Sequence, residues 1–238
     1  MQKIVEDVLA KLDTTILPIT DFPVALESRV QEVIEFIATQ PTKVCMIGIW
    51  GMGGSGKTTT AKAIYNQIHR NFVYRSFIED IREVCEKDSR GIIHLQQQIL
   101  SDILNSKEMI HSIASGTATI ERILQRKRVL VVLDDVSTIK QLQALFRNRT
   151  LFGAGSVFIV TTRDVRILKL LEVGHLCTMK EMDEDDSLEL FRSHAFRDTD
   201  SEEGFSELSV NFCVQWFVKE SKSSFPLFNK TEKTFKQY

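Results

Sequence analysis

A short apolar run leads directly into a glycine-rich loop in the stretch Val44-Cys45-Met46-Ile47-Gly48-Ile49-Trp50-Gly51-Met52-Gly53-Gly54-Ser55-Gly56-Lys57-Thr58. The apolar run is typical of a strand that is buried on both faces. A helix is expected after the loop, with Ile64, Ile68 and Phe72 on one side. From Gly51 onward the loop fits the pattern G-x-x-x-x-G-K-[ST] at every fixed position. The order of strand, loop and helix predicts an α/β protein that holds phosphate at this loop.

The residue types in the loop suit phosphate chemistry. Glycines let the backbone approach an anion in conformations that a side chain forbids, and the backbone N–H groups then face the anion. We expect Lys57 to reach the β- and γ-phosphates of a nucleotide and the Thr58 hydroxyl to bind Mg²⁺. The alternative is a glycine-rich turn that matches by chance, as about one chain in a hundred of this length would. The expected nucleotide-binding residues of the loop are Gly51, Met52, Gly53, Gly54, Ser55, Gly56, Lys57, Thr58 and Thr59.

A second apolar run, Val129–Leu133, ends in two acidic residues, Asp134 and Asp135. This pattern is typical of a buried strand that delivers carboxylates to the carboxyl edge of a parallel sheet, where ligands of open α/β sheets bind. We expect Asp134 to hold Mg²⁺ and Asp135 to act as the catalytic base on a water molecule. The alternative is that the Asp-Asp pair only forms a turn.

A third apolar run, Val157–Thr161, is followed by Thr162 and Arg163. An arginine at the end of a buried strand can bind the γ-phosphate and so sense whether it is present. The alternative for Arg163 is a surface salt bridge to Asp164 or to another acid.

The rest of the chain alternates between strand-like and helix-like segments, which predicts a parallel sheet with helices on both faces. Helical spacing is present at residues 4–12, 26–37, 95–104, 120–124, 139–146 and 188–195, and weaker strands at 76–78 and 176–179. Ser137 or Thr138 is the expected cap of the helix at 139–146. We predict a linker and helix at 1–22, a phosphate-loop nucleotide-binding domain at 23–180, the start of a helical subdomain at 181–209 and a divergent tail at 210–238.

Composition excludes several functional classes. The 238 residues carry a formal net charge of −2, which gives no electrostatic reason to bind nucleic acid directly. The apolar runs are too short to span a membrane, and the four cysteines are too scattered for a metal site or a disulfide framework. These features predict a cytosolic protein without a membrane span.

The motifs together resemble the NB-ARC nucleotide-binding module of plant disease-resistance receptors, especially those of the TIR-NBS-LRR class. Residues 48–59 resemble its phosphate loop, 129–136 its second kinase motif, 155–163 its sensor strand and 180–196 the start of its first helical subdomain. The segment Asp21–Val30 resembles the entry to the module, which implies that Val24 contacts adenine. The resemblance covers about residues 1–209.

The resemblance implies a defence-signalling switch that binds ADP or ATP with Mg²⁺ and is at most a slow ATPase. It implies self-association or contact with other resistance receptors as partners, and a location in the cytoplasm or also in the nucleus. We also expect a truncated form, since no TIR domain precedes the module, no leucine-rich repeat follows it, and the Gly-Leu-Pro motif is missing after Ser209. Ala25 replaces the glycine that is usual in the family, which would alter adenine recognition.

Two alternatives to this function remain at the level of sequence. One is a free-standing phosphate-loop ATPase or kinase that acts on a small substrate. The other is a fragment that has lost nucleotide binding and acts only through protein interaction.

Overall fold

A computed structural model of the chain describes residues 16–20, 26–104, 109–180, 186–187 and 189–190. Contacts divide the chain into two units, Met1–Glu181 and Met182–Tyr238. In the second unit, the four described residues are helical. The predicted helix at 4–12, Val24, most of the predicted helical subdomain and the tail at 210–238 lie outside the described residues.

The first unit contains a five-stranded parallel sheet. Its strands, in chain order, are β1 (Cys45–Trp50), β2 (Tyr74–Ile78), β3 (Val129–Val136), β4 (Val157–Thr162) and β5 (His175–Thr178). Their order across the sheet is β2-β3-β4-β1-β5. The strand before the phosphate loop therefore lies between β4 and β5, and β4 separates it from the strand that carries the acidic pair. Because all strands are parallel, the predicted site residues at the carboxyl ends of β1, β3 and β4 meet at one edge of the sheet.

Seven α-helices connect and cover these strands in the described residues. They are α1 (Leu26–Ala38), α2 (Lys57–Ile68), α3 (Ile81–Lys87), α4 (Gly91–Leu104), α5 (Ile113–Leu124), α6 (Ile139–Leu145) and α7 (Val165–Leu170). Short 3-10 turns at His69–Asn71 and Arg149–Leu151 complete the connections. Thr138 caps α6 in a reciprocal capping box with Gln141, which decides between the two caps that the sequence suggests.

The two faces of the sheet bury separate apolar clusters, and β3 shows how one strand serves both. Val129, Val131 and Leu133 pack on the face covered by α4, α5, α6 and α7. Leu130 and Val132 pack on the opposite face with α1 and α2. This alternation follows from the two-residue period of a strand, and it explains why the run is apolar at every position. The predicted parallel α/β sheet with helices on both faces is confirmed.

Three details of the fold differ from the prediction. The short helices α3 and α7 were not expected, because seven and six residues offer too few turns for a clear apolar period. Phe72, which the spacing placed on the helix after the loop, lies beyond it in extended conformation and is still buried.

None of the described helices is long and apolar enough to cross a membrane.

Candidate functional site

A cleft of about 270 Å³ opens at the carboxyl ends of β1, β3 and β4. Its lining residues are Gly54, Gly56, Lys57, Thr58, Thr59, Asp80, Asp134, Asp135, Thr161 and Arg163. A second cavity of similar volume lies at the amino ends of β1 and β4, next to Cys45 and Val157, and no carboxylate lines it. The cleft at the carboxyl ends is therefore the candidate site, because charged and hydroxyl side chains line it and because ligands of open α/β sheets bind at this edge.

The backbone of the phosphate loop depends on glycine at two positions. Gly54 and Gly56 have φ angles of 78° and 82°, in the left-handed region that other residues rarely adopt. No atom lies within 4 Å of the place that a Cβ of Gly54 would occupy, so the loop presents an open surface there. Gly56 directly precedes α2, whose amino end carries unpaired N–H groups and a partial positive charge. The loop can therefore hold an anion with its backbone.

The Lys57 side chain lies folded into the loop and is only 7% exposed as a residue. Its ammonium donates a hydrogen bond to the carbonyl of Met52, and the Ser55 hydroxyl donates to the same oxygen at 2.9 Å. Burial lowers the pKa of Lys57, and the charge of Arg163 lowers it further, while the nearby carboxylates oppose the shift. The Met52 carbonyl is a neutral acceptor for the Lys57 ammonium. A phosphate would be a charged acceptor and would form a stronger hydrogen bond with this partly desolvated cation.

Thr58 and Asp134 join the loop to the end of β3. The Thr58 hydroxyl lies 3.0 Å from both carboxylate oxygens of Asp134, and the Thr161 hydroxyl donates to one of them at 2.6 Å. Asp134 is 1% exposed, and burial raises its pKa against the opposing effect of the two hydroxyl bonds. The two hydroxyls thus hold the carboxylate in one orientation beneath the loop.

These oxygen donors fit Mg²⁺. The described residues contain no group of three or more His, Cys, Asp or Glu side chains that could hold a metal ion. Mg²⁺ does not need such a cage, because it is usually held by one or two carboxylates together with phosphate oxygens and water. A hydroxyl and a buried carboxylate that meet beside a phosphate loop match the protein ligands that such coordination requires.

The Asp135 carboxylate is bound by two arginines. Arg82 donates to one of its oxygens through Nε at 2.9 Å and a terminal nitrogen at 2.8 Å, and Arg163 Nε lies 3.4 Å from the other oxygen. The backbone of Asp135 has a φ of 51°, and its N–H donates to the Thr161 hydroxyl at 2.8 Å. Both carboxylate oxygens of the predicted base are therefore engaged by guanidinium groups.

Arg163 is placed between the acidic pair and the phosphate loop. A terminal nitrogen of its guanidinium lies 3.0 Å from the place that a Cβ of Gly53 would occupy, so the guanidinium rests against the loop. The indole of Trp50 donates to the Arg163 carbonyl at 3.2 Å and fixes the backbone there. The sequence analysis named Asp164 or another acid as a salt-bridge partner of Arg163, and in the structure this partner is Asp135. Asp164 instead caps α7 and pairs with Arg166 at 2.7 Å.

The structure brings together the loop, Thr58, Asp134, Asp135 and Arg163, as the sequence predicts; their roles stay predictions, as does the role of Val24. It adds three residues that the sequence reasoning missed. Thr161 carried a weak signal, since it is a polar residue at the end of an otherwise apolar strand. Asp80 and Arg82 carried none, because only the fold brings the end of β2 to the acidic pair.

Comparison with known proteins identifies relatives. The NB-ARC domain family matches residues 26–201. Disease resistance protein RUN1 of Vitis rotundifolia is 39% identical over 195 residues, which cover 80% of this chain and 14% of that protein. Disease resistance protein RML1B of Arabidopsis thaliana is 34% identical over 214 residues, which cover 88% of this chain and 21% of that protein. The chain thus spans about a fifth or less of the length of these relatives.

Solved structures with the same fold are much more distant in sequence. Cdc6p of Pyrobaculum aerophilum matches with a TM-score of 0.57 and 14% identity, over 85% of this chain and 56% of that one. A chain from the Drosophila ORC structure bound to DNA matches with a TM-score of 0.58 and 14% identity, over 88% of this chain and 55% of that one. At this identity the likeness supports the fold alone.

Proposed function

We propose, because this chain belongs to the NB-ARC domain family, that its cleft binds ADP and ATP with Mg²⁺ and serves as the nucleotide switch of a plant disease-resistance receptor. The observation that carries the proposal is the contact between Thr58 and Asp134, which places a hydroxyl and a carboxylate directly below the phosphate loop. The names of the relatives favour this role over a free-standing kinase or a fragment without nucleotide binding.

In this proposal the backbone of the loop and Lys57 bind the phosphates that ADP and ATP share. The phosphates displace the Met52 carbonyl as the hydrogen-bond acceptor of the Lys57 ammonium, because a charged acceptor forms the stronger hydrogen bond. Thr58 and Asp134 hold Mg²⁺, which neutralises phosphate charge when it is bound. Adenine recognition by Val24 remains a prediction.

Arg163 distinguishes the two nucleotides, because its guanidinium lies against the loop and ADP has no γ-phosphate to bind it. Asp135 is the candidate base for slow hydrolysis, but its pairing with Arg82 and Arg163 holds both carboxylate oxygens. A carboxylate whose two oxygens both contact guanidinium groups is poorly placed to contact an attacking water, which agrees with a switch more than with a fast enzyme. We further propose that the chain contacts other resistance receptors or associates with itself. We also propose that it is located in the cytoplasm or the nucleus.

Calorimetric titration of the purified chain with ADP and ATP, each with and without Mg²⁺, tests the proposal. We expect both nucleotides to bind, and Mg²⁺ to change the affinity in the wild type but not in Asp134→Asn. Absence of binding by either nucleotide to the folded chain would overturn the nucleotide switch and favour a role through protein interaction. Fast turnover of ATP would favour a free-standing ATPase.

A further inference from the structure

The ion pairs around Asp135 are unequal. Arg82 places two nitrogens on one carboxylate oxygen at 2.9 and 2.8 Å, whereas Arg163 reaches the other oxygen with a single nitrogen at 3.4 Å. The Asp135 side chain is 16% exposed, the Arg82 side chain 32% and the Arg163 side chain 50%. The tighter and more buried pair is therefore the one with Arg82, and Arg163 holds the looser contact.

Arg82 reaches this position from the far edge of the sheet. It lies in the first turn of α3, directly after β2, which is the outermost strand beside β3. Asp80, with a φ of 52°, turns the chain between the end of β2 and α3. The guanidinium of Arg82 binds Asp135, whereas that of Arg163 also rests against Gly53 of the phosphate loop. The two arginines thus share one acid, and the second of them lies where a γ-phosphate is proposed to bind.

Sharing one carboxylate couples the two arginines electrostatically. The contact of two Arg82 nitrogens with one carboxylate oxygen neutralises much of the charge that Asp135 would otherwise exert on Arg163. Without the Arg82 charge, the full negative charge of Asp135 would attract Arg163. The half-exposed guanidinium of Arg163 can then move toward the carboxylate. A more tightly held Arg163 would be less available to a phosphate at the loop.

We propose that Arg82 is a positioning residue that sets the preference for ATP over ADP, acting through Asp135 on Arg163. The inference rests on the proposed nucleotide switch and extends it to a residue whose guanidinium hydrogen-bonds to Asp135. The effect of Arg82 is specific for the γ-phosphate, because Arg82 controls how tightly Asp135 holds Arg163, and Arg163 is the residue proposed to bind that phosphate. Affinity for ADP should not depend on Arg82.

The test compares the affinities of the chain for ADP and for a slowly hydrolysed ATP analogue, ATPγS, with Mg²⁺ present. We expect Arg82→Gln to lower the ratio of ATPγS to ADP affinity at least fivefold, toward the ratio of Arg163→Ala, while ADP affinity changes less than twofold. Arg82→Lys keeps the charge and should keep most of the ratio. Adding Asp135→Asn to Arg82→Gln removes the acid that retains Arg163 and should restore the ratio.

Arg166→Gln is the matched control, because Arg166 makes a similar two-nitrogen contact with Asp164 next to Arg163 but does not bind Asp135. It should leave the ratio unchanged. An unchanged or increased ratio in Arg82→Gln, an equal loss of both affinities, or no recovery in the double variant would each overturn the role of Arg82. If the wild-type chain binds neither nucleotide, the proposed switch itself is wrong, and the role of Arg82 is overturned with it.

Discussion

The hydroxyl of Thr58 lies 3.0 Å from both carboxylate oxygens of Asp134, although the two residues are 76 positions apart in the chain. Thr58 closes the phosphate loop and Asp134 lies near the carboxyl end of β3, and β4, the strand between β1 and β3, contributes Thr161 to the same carboxylate. The Thr58 and Asp134 side chains are both oxygen donors of the kind that would hold Mg²⁺ beside a bound phosphate. Thr58 and Thr161 thus hold the Asp134 carboxylate from two neighbouring elements at the foot of the phosphate loop.

Lys57→Ala should weaken the binding of ADP and of ATP at least tenfold without unfolding the protein. Charge-assisted hydrogen bonds contribute about 1.5–3 kcal/mol, which corresponds to a factor of ten or more. Calorimetry measures the affinity, and circular dichroism checks the fold. Lys62→Ala is the control, because Lys62 lies on the same helix but pairs with Glu79 at 3.0 Å. Unchanged affinity in folded Lys57→Ala would refute the assignment of the phosphate site.

Arg163→Ala should leave the affinity for ADP nearly unchanged and reduce any preference for ATP. The reason is geometric, since the guanidinium lies beside the loop at the expected place of a γ-phosphate, which ADP lacks. Titration with both nucleotides measures the preference, and Arg166→Ala serves as a control on the neighbouring surface. An equal loss for the two nucleotides would mean that Arg163 supports the loop instead of sensing the γ-phosphate.

The contribution of Mg²⁺ to nucleotide binding should disappear on acidification at a higher pH than an ordinary aspartate would cause. Burial raises the pKa of Asp134 in the folded protein, so that the carboxyl becomes protonated at a pH above the usual value of about 3.9. The protonated form cannot bind the cation, and the effect of Mg²⁺ is therefore present above the raised pKa and lost as the pH falls through it.

ADP affinity with and without Mg²⁺, measured across this pH range, checks the prediction. The Asp134→Asn variant has no titrating group at this position and should show no Mg²⁺ effect at any pH. With Mg²⁺ kept well below saturation, so that it does not itself lower the pKa, a midpoint at the ordinary pKa of aspartate would show that Mg²⁺ binding is not governed by the buried carboxyl. A persistent Mg²⁺ effect in Asp134→Asn would place the cation on other ligands.

The sequence predicts most of this site because its main residues follow apolar strands. The loop follows β1, Asp134 lies near the end of β3 and Arg163 follows β4, and each of them comes after a continuous apolar run in the sequence. What the sequence cannot give is the order of the strands. Arg82 belongs to the site only because β2 pairs with β3, and nothing in the spacing between Arg82 and Asp135 reveals that pairing.

A last prediction concerns the polar contact that joins α4, α5 and α6. Gln96 is fully buried, and its side-chain nitrogen donates to the carbonyls of Ile113 and Ala144 at 2.9 and 2.7 Å. A Cβ on Gly116 would lie 2.0 Å from the Gln96 side-chain oxygen. Gly116→Ala should therefore destabilise the protein by about 1–3 kcal/mol, the usual cost of overpacking, although alanine is the better helix former.

Urea denaturation measures the change in the free energy of unfolding. Ser115→Ala is the control, because residue 115 is exposed on the same turn of α5 and its substitution should change stability by no more than about 0.5 kcal/mol. Gln96→Ala removes the obstructing amide, so Gly116→Ala should cost less in that background than in the wild type, since residues in contact are coupled. If Gly116→Ala stabilises the wild-type protein as helix propensity alone would suggest, the Gln96 amide does not occupy the space beside Gly116, and the packing of α5 against α4 is different.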